Sequence, residues 1–322
     1  MSPTSDIAAL GGHTMGTRWS VKLVAPRSRD LHALHAGIQA ELDRVVAQMS
    51  TWEVDSDISR YNRAIANSWH ALPNDFWTVL SAAHDVAARS DGAFDPSIGP
   101  LVALWGFGAD AAAQRVPDPA QLADVGSRCG WSTLQLDPQS QSVLQPGELR
   151  LDLSAIAKGY GVDLVSRWLH RNGVDAALVE VGGELHGYGL KPDGQPWRVL
   201  VESSPDEEVD DNGLEPRVLT LDGVAVATSG DRWHAYAHEG RRYSHTIDPR
   251  SGEPVTDAAA AVTVVAADAM QADAWATALT VMGTADGQAF AARHGLAARF
   301  LQRSAQGLQE TMTPAFERHL AA

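Results

Sequence analysis

Apolar residues at Ile38, Leu42, Val45, Val46 and Met49 recur at helical spacing and predict a helix over residues 31–49. A second helix opens at Pro73-Asn74-Asp75, carries Phe76, Val79, Leu80, Ala83 and Val86, and stops at Asp91-Gly92. The Gly/Pro-punctuated stretch 92–100 reads as a structured loop, and the alanine-rich stretch 109–130 holds a short helix after Pro117. Leu151–Leu153 is a short apolar strand running straight into a helix over 154–172, with Ser154 as its cap and Asn172-Gly173 as its stop. From Ala177 onward the pattern turns β-rich. Ala177–Val181 is a strand, and Asp193-Gly194, Asp222-Gly223 and Glu239-Gly240 stand where hairpin turns belong. A strand over 259–267, a helix from Asp268 to Gly283, a shorter one over 285–294 and a last strand over 296–301 complete the pattern, with one more strand near the N-terminus, over 19–24. The expected class is α+β, with mostly antiparallel sheets and flanking helices. Residues 1–12 are expected to be a flexible N-terminus, 13–304 one domain or two intimately packed subdomains, and 305–322 a C-terminal tail.

Length and an apolar fraction of 44% allow a substantial core. A formal charge of -15 disfavours nucleic acid and anionic membranes, so any phosphate site must supply its own positive charge locally. Cys129 stands alone, which rules out an intramolecular disulfide or a thiolate cluster. No run is long enough to span a membrane. Met1-Ser2-Pro3-Thr4-Ser5-Asp6 lacks the basic start and apolar core of a secretory signal. The chain as it stands is expected in the cytoplasm, or in the periplasm and membrane-anchored if an export segment was removed.

Several segments carry chemistry. The start of the helix after Leu153 offers backbone N–H groups to an anion, and Lys158 adds a full charge. Gly159 and Gly161 each cost about 1 kcal/mol in a helix, so something approaches the backbone closely, either a phosphate-bearing ligand or a packed neighbouring element. Asp273 and Thr277, four apart on one helix, form half of a hard-cation site if they face inward, and are plain surface residues if they face outward. His245, in Ser244-His245-Thr246-Ile247-Asp248-Pro249, is a candidate proton acceptor near a strand end. Ala227-Thr228-Ser229-Gly230-Asp231 does not match a Gly-x-Ser-x-Gly elbow, which leaves a serine hydrolase little support. Val181-Gly182-Gly183-Glu184 borders a ligand or forms a bulge. Met15 and Trp52 offer a soft contact and a stacking surface, or core packing.

In this order the segments resemble the FAD:protein FMN transferases, or flavin transferases. Matching stretches are Met15-Gly16-Thr17, Ser50-Thr51-Trp52 with residues 55–62, Ala93-Phe94-Asp95-Pro96, residues 152–163, Gly182-Gly183-Glu184, residues 227–231, residues 244–249 and residues 272–277. The resemblance implies an enzyme that binds FAD and Mg²⁺. Such an enzyme transfers FMN to a Thr or Ser hydroxyl of an acceptor flavoprotein, such as a subunit of a membrane redox complex or a flavin-dependent reductase, and releases AMP. Carried over, Met15, Trp52, Ala93, Phe94, Asp95, Asp152, Lys158 and Ile247 line the FAD site. The main-chain carbonyl of Ala155, with Asp273 and Thr277, holds Mg²⁺. Some members have a carboxylate at the position of Ala276 and a threonine at that of Ala155. Breaking a diphosphate needs charge neutralisation, and the incoming hydroxyl needs a base: His245 first, Asp248 or Asp231 as second choices. Two rivals share the same residues, a Mg²⁺-dependent FAD pyrophosphatase and a non-catalytic flavin carrier.

Overall fold

Strands that follow one another in the chain lie side by side in one eight-stranded sheet, so spatial order is sequence order. They are β1 (Ser5–Thr14), β2 (Thr17–Pro26), β3 (Ala177–Val181), β4 (Glu184–Tyr188), β5 (Val224–Gly230), β6 (Ala261–Ala266), β7 (Ala297–Ser304) and β8 (Gly307–Met312). Every neighbouring pair is antiparallel. The computed structural model describes residues 5–109, 111, 114–201, 214, 217–230, 235–238, 241–255, 260–304 and 307–321.

The excursions between strands carry the rest. Between β2 and β3 run α1 (Leu31–Met49), α2 (Asn74–Arg89), α3 (Ala157–Arg171) and a small sheet of Ser68–Ala71, Ser142–Gln145 and Leu136–Asp137. Between β6 and β7 run α4 (Ala269–Met282) and α5 (Thr284–His294). The sheet buries both faces, which is why β6 reads as a continuous apolar run rather than an alternation. Val262 and Val264 of β6, with Phe300 of β7, pack towards the helices. Val265 and Val226 pack the other way, against Trp197, Leu219, Leu221 and Phe316. Each side chain so buried is worth about 1.5–3 kcal/mol.

Helices α3 and α4 meet most closely at Gly159, where a Cβ would lie 2.2 Å from the carbonyl oxygen of Ala269. The close approach that Gly159 demands is therefore made by a neighbouring helix rather than by a ligand. Gly161 likewise faces protein, with Leu42 Cδ2 and Met15 Cε each 3.3 Å from where its Cβ would be. Asp268 caps α4, its carboxylate accepting from the Gln271 amide at 2.8 Å. Asp163, on α3, accepts from the amides of Ala269 and Met270 at 2.8 and 3.0 Å.

Most predicted elements appear within a few residues of their expected bounds; Leu151–Leu153 forms no strand, and four further details differ. Ser154 does not cap α3: its own amide donates to Asp152 at 2.8 Å, its side chain is exposed, and a turn precedes the helix, which begins at Ala157. The N-terminus is not free from residue 5 onward, because ten residues of β1 pair with β2. The C-terminal stretch adds β8 and a helix at Pro314–Glu317. Asp193-Gly194 and Asp222-Gly223 make turns, yet the strands flanking each belong to different sheets, so neither closes a hairpin. Glu239-Gly240 lies outside the described residues, between the antiparallel strands Ala235–His238 and Arg241–Ser244.

Gly159→Ala gains about 1 kcal/mol of helix propensity. It also forces two backbones apart, and overpacking of this kind costs about 1–3 kcal/mol. With a carbonyl at 2.2 Å the second effect wins. The variant is expected to show a lower urea midpoint than the native chain, measured by circular dichroism; an equal or higher midpoint would contradict the tight contact.

Candidate active site

The residues before α3 are held by side chains from distant parts of the chain. Asn62 reads the backbone of Leu151 on both sides, its Nδ2 donating to the Leu151 carbonyl at 2.9 Å and its Oδ1 accepting the Leu151 amide at 2.7 Å. The Asp152 amide donates to the Pro96 carbonyl at 2.8 Å. Loop 93–97 is stapled from within: Asp95 accepts from the amide and hydroxyl of Ser97 at 2.7 and 2.6 Å and from the Trp131 amide at 3.0 Å. The corner after α1 is set by Ser56, whose hydroxyl donates to the Ser50 carbonyl at 2.7 Å and accepts from the Ser59 amide at 3.1 Å. The segments bearing Trp52, Ala93–Asp95 and Asp152 are thereby locked to one another. Trp52 stands 71% exposed, an unusual position for a large aromatic ring and one that suits stacking. Ala93, Phe94 and Asp95 are buried, so their side chains build the wall rather than project from it. Asp152 is half-buried.

Two turns close around the same helix start. Met15 and Gly16 form the two-residue β1–β2 turn with φ of 48° and 69°, a conformation that strains a non-glycine residue. Gly182, in the β3–β4 turn, faces Thr17 and Lys158; a Cβ there would lie 2.8 Å from Thr17 Cγ2.

Between these turns lies a charged cluster. Lys158 forms an ion pair with Glu184, whose side chain is almost wholly buried. Asp273, 6% exposed, accepts the Gly159 amide at 3.0 Å. Asp273 thus faces inward, and the surface alternative is excluded. Burial raises the Asp273 carboxyl above its usual range, while the Lys158 charge and the Gly159 amide oppose that rise. Burial likewise pushes Glu184 up to about 7 against the pull of Lys158. Burial lowers Lys158, but the combined charges of Asp273 and Glu184 outweigh it and hold the ammonium protonated. Lys158 is therefore not a solvated surface charge.

In a helix continued backwards the Gly159 amide would bond to the Ala155 carbonyl. It donates to Asp273 instead, and no hydrogen bond to the Ala155 carbonyl occurs among the described residues. One turn further along α4, the half-buried Thr277 lies on the Asp273 face. These are three oxygen donors of the kind a hard cation takes. No cluster of three or more His, Cys, Asp or Glu suited to a metal exists among the described residues, so a cation here needs further oxygens from a ligand or water. Ala276 is buried in the apolar cluster and adds no donor.

His245 lies in a bend between the strands Arg241–Ser244 and Ile247–Asp248, and this segment is anchored on two sides. Trp105 Nε1 donates to the Gly252 carbonyl at 2.7 Å, and Ile247 is buried with Leu101, Trp105 and Tyr243. His245 is half-buried, its ring edge-on to Phe107 with centroids 6.5 Å apart. Asp248 is a poor candidate base, because Arg250 donates to both its carboxylate oxygens at 2.9 Å and its backbone amide adds a third bond. Arg250 also reaches the Val281 carbonyl at 3.4 Å, tying this segment to the end of α4. Asp231 lies outside the described residues. Glu184 and Asn62 were visible in sequence only as members of matching stretches, and Arg250 not at all, since their roles come from partners 26, 89 and 31 positions away.

Replacing Lys158 by Met keeps the stem but leaves two buried carboxylates without their cation. Losing one partner of a buried pair costs about 3–5 kcal/mol, less here because the Lys158 side chain is 30% exposed. With pKa values raised further in the folded variant, its carboxylates bind protons that the unfolded chain releases. Its stability is then greatest at acid pH and falls as pH rises from the ordinary carboxylate range, with the loss continuing above about 7, where the Glu184 of the native chain has already titrated. The stability gap between native chain and Lys158→Met is expected to widen from pH 5 to pH 8 in urea titrations; a gap independent of pH would contradict the cluster.

A family model described as the ApbE family matches residues 15–300. The FAD:protein FMN transferase of Klebsiella pneumoniae (strain 342) is 34% identical over 322 residues, covering 99% of this chain and 91% of the relative. That of Vibrio cholerae serotype O1 (strain ATCC 39541 / Classical Ogawa 395 / O395) is 36% identical over 313 residues, covering 97% and 92%. The apo crystal structure of the Pseudomonas stutzeri flavinyl transferase ApbE superposes with a TM-score of 0.90 at 38% identity, covering 100% of this chain and 99% of that one. The flavin transferase ApbE from Vibrio cholerae gives 0.89 at 34% identity, covering 98% and 100%. With the fold, the order of the segments and near-complete coverage in agreement, the chain belongs to the ApbE family, a family of transferases.

Proposed function

We propose that this chain is a Mg²⁺-dependent FAD:protein FMN transferase, moving FMN from FAD to a Thr or Ser hydroxyl of an acceptor flavoprotein and releasing AMP. One observation carries the proposal: the Asp273 carboxylate is buried at the start of α3 beside Lys158 and displaces the Ala155 carbonyl from the helix ladder. Such an oxygen-rich arrangement suits a hard cation, and Mg²⁺ characteristically shares its protein oxygens with a ligand's phosphates. Ala155, Asp273 and Thr277 would hold the ion, which would supply charge neutralisation at the phosphate oxygens.

The chain's own residues do the remaining work. The Lys158 ammonium favours the anionic diphosphate, whereas the Ala157, Gly159 and Tyr160 amides expected to do so already donate to Leu153, Asp273 and Ile156. Trp52, exposed at its corner, offers a face to the flavin or adenine ring, and Met15 borders the cleft from the β1–β2 turn. His245 takes the proton as the acceptor oxygen bonds to the FMN phosphorus and the bond to the AMP oxygen breaks. Asp248 and Arg250 hold the segment that follows the His245 bend. The acceptor would be a subunit of a membrane redox complex or a flavin-dependent reductase.

The test mixes the chain, FAD, Mg²⁺ and an FMN-binding acceptor domain. The expected result is an acceptor mass raised by one FMN, AMP in equal amount, and loss of both on chelation. AMP release without acceptor at the same rate would instead favour the pyrophosphatase. FAD retention with neither product would favour the carrier. His245→Ala is expected to bind FAD normally and lose roughly 100- to 10,000-fold in transfer rate, the span of general-base catalysis. Near-native transfer across the pH range would move the base elsewhere.

A further inference from the structure

The two helices that frame the site are joined by two rungs. In the first, Asp273 of α4 accepts the amide of Gly159 of α3 at 3.0 Å. In the second, Asp163 of α3 accepts the amides of Ala269 and Met270, the first two residues of α4, at 2.8 and 3.0 Å. Gly159 and Asp163 are one turn apart on α3, and Ala269–Met270 and Asp273 one turn apart on α4. The rungs therefore run antiparallel and about 6 Å apart along the axes.

One rung alone lets the helices slide or roll about it; two fix both the offset and the rotation. Asp163 is itself almost fully buried, 5% exposed, and both its oxygens are engaged. Asp268 caps α4 only through Gln271, so the Ala269 and Met270 amides take their partner from α3 rather than from α4's own flank. The two acids take different amides and do different jobs: Asp268 serves α4 alone, and Asp163 registers α4 on α3.

We propose that Asp163 is a positioning residue of the metal site: by binding the first two amides of α4 it sets where Asp273 and Thr277 stand against the Ala155 carbonyl. The proposal rests on the function argued above. Outer partners that orient ligands in this way typically change metal affinity by roughly 10- to 100-fold when removed.

The experiment compares the full chain, Asp163→Asn, Asp163→Ala and Asp268→Ala. Each is titrated calorimetrically with Mg²⁺ in the presence of FAD, with its urea midpoint recorded separately. Asp268→Ala removes a cap from the same helix end without touching α3, and so measures the cost of a frayed α4. The expected result is Mg²⁺ binding weakened roughly 10- to 100-fold in the Asp163 variants and far less in Asp268→Ala at a comparable loss of midpoint. Transfer by Asp163→Asn should recover towards the native rate at saturating Mg²⁺, a KM effect rather than a kcat effect. If Asp163→Ala does not fold, Asp163→Asn, which keeps one acceptor oxygen, decides. Equal weakening by Asp163→Asn and Asp268→Ala overturns the positioning role, as does native affinity in Asp163→Asn. If the native chain itself binds no Mg²⁺ with FAD, the functional proposal fails instead.

Discussion

The backbone contact of α3 and α4 at Gly159 is the constraint on which the site depends. A carbonyl 2.2 Å from the would-be Cβ leaves room only for glycine. That closeness lets a carboxylate on one helix reach an amide on the other without a bridging water. The amide so taken no longer serves the Ala155 carbonyl, and a main-chain oxygen is released beside a buried acid. The roughly 1 kcal/mol that a mid-helix glycine costs is offset by a geometry that no other residue permits.

Charge follows from the same contact. The chain carries -15 overall, so long-range attraction brings no anionic dinucleotide to it. The cluster holds two carboxylates, Glu184 and Asp273, against one ammonium, Lys158. In a poorly solvated place that imbalance is costly, which is why both acids are raised above their ordinary range. A divalent cation bound there, as proposed, would relieve it and reverse the local sign, making the site hospitable to a diphosphate. The proposed need for a cation thus has a basis in the protein's own electrostatics.

Much of this was legible before any coordinates. Helices α1 and α2 declared themselves through periodicity, because their apolar stripes face a core, and α4 through its local cap, Asp268. The start of α3 was misplaced because it has no local side-chain cap and its Gly159 amide goes to Asp273, 114 positions away. Turn chemistry at Asp193-Gly194 and Asp222-Gly223 was read correctly as turning, but a turn does not say which sheet each arm joins. The inward face of Asp273 could not be read from α4 itself, whose residues are apolar almost all round. Asp248 looked like a base until its fork with Arg250 was seen, a bond between residues only two apart that sequence spacing permits without requiring.

Helix α4 also connects the two chemical halves of the site. Asp273 lies near its start, and the Val281 carbonyl near its end receives Arg250, whose guanidinium grips Asp248, three residues after His245. The proposed proton acceptor and the proposed cation donors are thus both tied to one rigid element. A flexible loop in place of that element would leave their separation to chance, and misplacement of about 1 Å can cost 100-fold in rate. The position of α4 against the sheet is held by packing of Ala274, Ala278 and Leu279 with Val262, Val264 and Phe300. Small residues on this face bring the helix close to the strands, so the core that stabilises the fold also sets the distance over which a hydroxyl, a phosphorus and a base must meet.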